Sequence, residues 1–85
     1  MVKIWIKVIK DDKIVKDVVV ERDEKFDYAS FSDYLTEGLY SLDESTPVVI
    51  KNHLFSFAKY NAVRFLPTDF LEPVGFDCVW VENLI

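Results

Sequence analysis

The stretch VKIWIKVIKDDKIVKDVVVER, residues 2–22, contains two segments in which apolar and polar residues alternate, with a polar break between them. Alternation at a period of two is typical of β-strands, and Asp11-Asp12-Lys13 is rich in residues that favour a turn. The stretch therefore predicts a β-hairpin of residues 2–10 and 14–22, around which the rest of the chain must pack.

The pairing of the two strands is predicted by charge and burial together. A three-residue loop sets these residues opposite each other: Lys3 and Glu21, Lys7 and Asp17, Trp5 and Val19, and Ile9 and Val15 on one face, with Ile4 and Val20, and Ile6 and Val18 on the other. A two-residue loop would instead place Lys7 across from Lys16 and Ile6 across from Asp17. We therefore expect the three-residue loop.

The segment after the hairpin has the pattern of an amphipathic helix. Asp27 is a favourable N-cap, and Phe26 before it can pack on Phe31. At about 100° per residue, one side of this helix carries Tyr28, Phe31, Leu35, Leu39 and Leu42, and we expect that side to pack in the core. Gly38 costs about 1 kcal/mol relative to alanine within a helix, which indicates either a close approach to a neighbour or an early helix end.

The second half of the chain predicts three further elements. Residues 47–50 (PVVI) form a short apolar run of strand type, residues 52–61 have helical periodicity, and residues 77–82 (DCVWVE) alternate again. Residues 63–65 are expected to be extended before Pro67. The prediction is one domain, residues 1–85, of the two-layer α+β class, with an antiparallel-rich sheet of three or four strands, two helices on one face and the order β-β-α-β-α-β.

Composition limits the classes of function. The 85 residues suffice for one hydrophobic core, and no apolar run reaches the roughly 20 residues of a membrane span. The formal net charge of −5 argues against general binding to nucleic-acid backbones. A single cysteine allows no internal disulfide, so we expect a reducing, cytoplasmic location without membrane association.

No residue pattern predicts catalysis. Glycine occurs only at Gly38 and Gly75, so no glycine-rich loop can hold a phosphate. His53 and Cys78 are one histidine and one cysteine without a marked third residue, and the paired carboxylates fall in expected turns. The sequence therefore predicts no catalytic residues, no metal site and no cofactor, and it favours a non-enzymatic role.

The hairpin supplies the main candidate for a functional surface. Because two helices cover only one face of a small sheet, the other face is expected to expose an apolar stripe of Trp5, Ile9, Val15 and Val19. We predict that this stripe binds a protein partner or a second copy of the chain, a homodimer included. The alternative is that Phe70, Leu71 or the C-terminal Leu84-Ile85 folds over it.

A second candidate lies in the segment KNHLFSFAKYNAVRFLP, residues 51–67. Every charged residue in residues 46–68 is basic, and Lys51, His53, Lys59, Tyr60 and Arg64 could bind an anion or a single-stranded nucleic acid by charge and stacking. The alternative is the solvated side of an amphipathic helix whose charge is balanced by the acidic helix before it.

Overall fold

The computed structural model describes residues 1–85, the whole chain. Its strands are β1 (Val2–Lys10), β2 (Lys13–Arg22), β3 (Ala62–Phe65) and β4 (Cys78–Asn83), and its helices are α1 (Phe31–Ser41) and α2 (Lys51–Tyr60). Two short 3₁₀ turns, Tyr28–Ser30 and Pro67–Asp69, precede α1 and follow β3. Neither helix is long and apolar enough to cross a bilayer.

The four strands form one antiparallel sheet in the order β2-β1-β4-β3. Buried side chains of both helices join the same core cluster as Val2, Ile4, Ile6 and Val8 of β1, so both helices cover one face of the sheet. The predicted α+β class, the antiparallel sheet and the two helices on one face are confirmed.

The predicted order of elements is wrong in its second half. Residues 47–50 are not a strand but part of the connection between α1 and α2, so the observed order is β-β-α-α-β-β. Their burial nevertheless alternates as in a strand, because Pro47 is buried and Val49 packs against the core, while Val48 and Ile50 are exposed. The hydrogen bonds of this run join Ile50 to the first turn of α2, and Val48 N–H to Asp69 C=O at 2.8 Å in a turn, so none leads to a strand.

The hairpin has the predicted register over most of its length and a different turn. Trp5 pairs with Val19 and Lys7 with Asp17 as expected, whereas Ile9 pairs with Ile14 and not with Val15. Asp11 and Asp12 both have positive φ, 53° and 63°, as a two-residue type I′ turn requires. Val15 is the extra residue of a β-bulge, so a two-residue turn and a bulge together give the register that a three-residue loop predicted.

The core forms between the helices and the inner face of the sheet. Phe31 and Leu35 of α1 are buried, as their helical spacing predicted, and Phe57 of α2 is buried as well. Gly38 marks a close approach of α1 to the hairpin, because a Cβ there would clash with Ile6 and lie 2.9 Å from Val20 Cγ2.

The start of α1 differs from the prediction, and His53 of α2, a candidate for anion binding, is buried. Asp27 accepts from Ala29 N–H at 3.0 Å and caps the 3₁₀ turn, which leaves Tyr28 exposed instead of buried. In α2, His53 belongs to the buried side, where its ring lies 4.4 Å from the ring of Phe65. Pairing of the imidazole within the chain allows this burial, since His53 Nδ1 accepts from Ile50 N–H at 3.0 Å.

Candidate functional site

The sheet face opposite the helices, here called the open face, has no second layer. Alternation along the strands places on it Lys3, Trp5, Lys7 and Ile9 of β1, Asp17, Val19 and Glu21 of β2, Arg64 of β3, and Cys78, Trp80 and Glu82 of β4. Strand pairing brings residues distant in sequence into rows, one of which runs Asp17, Lys7, Trp80 and Arg64. The open face therefore combines two tryptophans with charges of both signs.

Lys7 occupies the centre of this face. Its ammonium lies 4.1 Å from the centroid of the Trp5 ring and 5.9 Å from that of Trp80, so two indole faces attract one cation. Its Nζ also donates to Glu82 Oε1 at 3.2 Å. These contacts leave Lys7 only 9% exposed on a face that no helix covers.

The polar atoms around Lys7 are paired within the chain. The indole N–H of Trp5 donates to Asp17 Oδ2 at 2.9 Å, and that of Trp80 donates to Glu82 Oε1 at 3.2 Å. The hydrogen bonds from Trp80 and from Lys7 lower the pKa of Glu82 below the usual value for glutamate. The cluster is therefore a fixed arrangement of two aromatic rings, one cation and two carboxylates.

Nothing in the chain forms a layer over this cluster. Phe70 packs in the core against Phe76, and Leu71 is exposed. Leu84 continues β4 beside Lys3, to whose carbonyl it donates at 3.0 Å, and its side chain stays 39% exposed; Ile85 is exposed as well. Phe70 thus belongs to the core, Leu84 only extends the β4 row of the open face beside Lys3 without forming a layer over the cluster, and Trp5 remains half-buried.

The residues predicted for partner binding are brought together in part. Trp5, Ile9 and Val19 share the open face, with Val19 40% exposed. Val15 falls on the bulge at the outer strand and is also exposed. Sequence reasoning missed Trp80 and Glu82, because the alternation of residues 77–82 gives their shared face but not which strand they pair with.

A pocket of about 710 Å³ lies beside β3, the short strand at one edge of the sheet. Its lining residues are Asn52, His53, Ser56 and Tyr60 of α2, Ala62, Val63 and Arg64 of β3, and Leu66 and Trp80. Of the five residues predicted for anion binding, His53, Tyr60 and Arg64 line this pocket, whereas Lys51 and Lys59 do not.

The basic residues of this region differ in their contacts with carboxylates. Lys51, Lys59 and Arg64 form no ion pair, and His53 Nε2 lies 3.5 Å from Asp69 Oδ2. Arg64 is therefore the unpaired cation at the pocket.

The cysteine and the histidine do not share a site. Cys78 does not line the pocket that contains His53, and burial raises the pKa of its thiol, an effect that Arg64 opposes and Asp77 reinforces. A raised pKa disfavours the nucleophilic thiolate. No group of three His, Cys, Asp or Glu side chains is arranged to hold a metal ion.

Comparison of the chain with protein-family models, with curated proteins and with solved structures found no match.

Proposed function

We propose that this protein is a protein-interaction module that binds a partner protein through its open face. The observation that carries the proposal is the uncovered cluster of Trp5, Lys7 and Trp80. Tryptophan is one of the residue types enriched at the energetic centres of interfaces, where it combines a large apolar area with one hydrogen-bond donor. The partner that fits is a protein surface with apolar residues and few unpaired charges.

The pairing within the cluster supports docking because it lowers the cost of removing water. A buried charge or donor without a partner costs several kcal/mol, which often cancels the gain from contact area. Here the ammonium of Lys7 and both indole N–H groups already have partners within 3.2 Å. A partner can cover these groups without leaving them unsatisfied.

The test is the variant Trp5→Ser, compared with Tyr40→Ser as a matched control. Tyr40 is an exposed aromatic on α1, away from the open face. We expect Trp5→Ser to weaken binding to a copurified and then purified partner by at least about tenfold, as for an interface hot spot, and Tyr40→Ser to leave it unchanged. Thermal unfolding serves as the check on folding, and equal affinity of both variants would refute the open face as the docking surface.

The pocket beside β3 supports a second function, the binding of an anion or a single-stranded nucleic acid. The specific observation is that the unpaired Arg64 lies next to two aromatic residues, Tyr60 and Trp80, in one pocket. The expected signature is binding of a short oligothymidine that weakens as salt is raised.

Charge-reversal variants separate binding at this pocket from general electrostatic attraction between the oligothymidine and the protein. Arg64→Glu should abolish oligothymidine binding, while Lys10→Glu, the same charge change at the hairpin end, should retain most of it. No binding at physiological salt, or equal loss in both variants, would leave protein interaction as the only proposed function.

A further inference from the structure

The outer edge of β2 carries backbone groups that have no partner. β2 lies at the edge of the sheet and pairs only with β1. Leu84 N–H donates to Lys3 C=O at 3.0 Å, which shows that the odd-numbered residues of β1 exchange hydrogen bonds with β4. The even-numbered residues of β1 therefore exchange hydrogen bonds with β2.

The same alternation fixes which groups of β2 point outward. Lys16, Val18 and Val20 pair with the even-numbered residues of β1, so the N–H and C=O groups of Asp17, Val19 and Glu21 point away from the sheet. No loop, cap or side chain supplies these groups with a hydrogen bond. Nearby, Ile14 and Val15 are 50% and 52% exposed on the same strand.

The opposite edge of the sheet, strand β3, offers fewer free backbone groups for pairing with another strand. At β3, Ser56 Oγ donates to the Ala62 carbonyl at 3.1 Å, and Leu66 N–H donates to Asp69 Oδ2 at 2.8 Å. Side chains thus block both ends of that four-residue strand, whereas β2 has three consecutive outward residues without such protection. An open edge of this kind is a template for another strand.

The charges of β2 select a second copy of the same strand in one register. Antiparallel pairing of two copies about a two-fold axis at Asp17 would set this carboxylate against itself. An axis at Val19 would set Asp17 against Glu21 and Lys16 against Arg22. An axis at Val18 sets Asp17 against Val19 and Lys16 against Val20, so no like charges face each other.

We propose that the protein forms a homodimer by antiparallel pairing of its two β2 strands about Val18. Asp17 and Val19 of each copy then exchange about four backbone hydrogen bonds with the other copy. The two sheets become one sheet of eight strands, and the two open faces lie side by side on it. The dimer goes beyond partner binding, because it doubles the docking surface without using Trp5.

The register is tested with two substitutions at one position. Val19→Asp places the new carboxylate of each copy opposite Asp17 of the other copy, so the dimer gains two pairs of like charges. Val19→Lys instead places an ammonium opposite Asp17. We expect sedimentation velocity to show a wild-type dimer, a dissociation constant raised at least about tenfold in Val19→Asp, and a constant not raised in Val19→Lys. Equal weakening by the two variants would overturn the proposed register.

Amide hydrogen exchange of the wild type gives a measurement that does not depend on how the variants fold. The amides of Asp17 and Val19 should become more protected as concentration rises, and that of Arg64 at the other edge should not. A wild type that stays monomeric at about 1 mM, far above the micromolar range of specific complexes, would refute the dimer and leave partner binding by the open face to its own test. Protection at Arg64 instead of at β2 would also refute it.

Discussion

Lys7 shows how a charged residue becomes buried on a sheet face that carries no second layer. The rings of Trp5 and Trp80 cover its methylene stem and attract its ammonium, and Glu82 neutralises it at 3.2 Å. The open face is consequently neither a plain apolar stripe nor a solvated polar surface. Its centre is a preorganised group of aromatic and charged side chains.

Glu82 makes this cluster sensitive to acid, in a direction set by its lowered pKa. The folded protein holds the ionised carboxylate more strongly than the unfolded chain does. This contribution to stability is complete above the pKa of glutamate in the unfolded chain, about 4.3, and is lost as pH falls through the lower folded pKa.

We therefore predict that Glu82→Gln flattens the fall in stability upon acidification below about pH 5. The measurement is urea unfolding of both proteins at a series of pH values. Glu21→Gln is the matched control, because Glu21 lies on the same face and forms no ion pair. A Glu82→Gln curve parallel to the wild type would show that the carboxylate is not held by its neighbours.

At the scale of elements, the packing of α1 on the hairpin depends on one glycine. Gly38 allows the helix backbone to approach Ile6, Val18 and Val20 more closely than any side chain permits. The sequence indicated such an approach as one of two explanations for this glycine, and the structure selects it.

Gly38→Ala should destabilise the protein by about 1–3 kcal/mol through overpacking. Gly75→Ala is the matched control, since an added Cβ there meets no atom within 4 Å and the backbone φ is not positive. The control is expected to be neutral or to stabilise by up to about 1 kcal/mol, because alanine restricts the unfolded chain. Chemical denaturation measures both, and similar stabilities of the two variants would contradict the close approach of α1.

Much of the element structure could be predicted because it depends on local patterns. The charges of Lys3, Lys7, Asp17 and Glu21 determine the hairpin register, and the spacing of Phe31 and Leu35 determines the buried side of α1. The bulge at Val15 escaped prediction because two different turns give the same register beyond it.

Residues 47–50 show why strand propensity alone is insufficient. Their burial alternates along the run as in a strand, but a strand must also lie beside a neighbour with which it exchanges backbone hydrogen bonds. These residues lie in the connection between α1 and α2, where Val48 N–H bonds to the turn at Asp69 and to no strand. The pairing of β1 with β4 spans most of the chain, which is also why Trp80 could not be assigned beside Lys7 from the sequence.

At the scale of the whole molecule, the two sides of the sheet have separate roles in our account. One side and both helices supply the core that stabilises the fold, whereas the open face supplies a surface for association. The charged residues are divided between the two sides of the sheet less clearly. The unpaired Arg64 lies where the open face meets the pocket beside β3, and the net charge of the chain is −5.

The most direct test of the open face as a docking surface is site-specific photo-crosslinking in the native cell. A photoreactive phenylalanine analogue replaces Ile9 or Val19 on the open face, or Tyr40 or Leu71 at exposed control positions. We predict discrete crosslinked products from Ile9 and Val19, heavier than the 10.0 kDa chain by the mass of a partner other than a second copy of the chain, and none from Tyr40 and Leu71. Products from the control positions alone, or the same products from all four, would contradict the account.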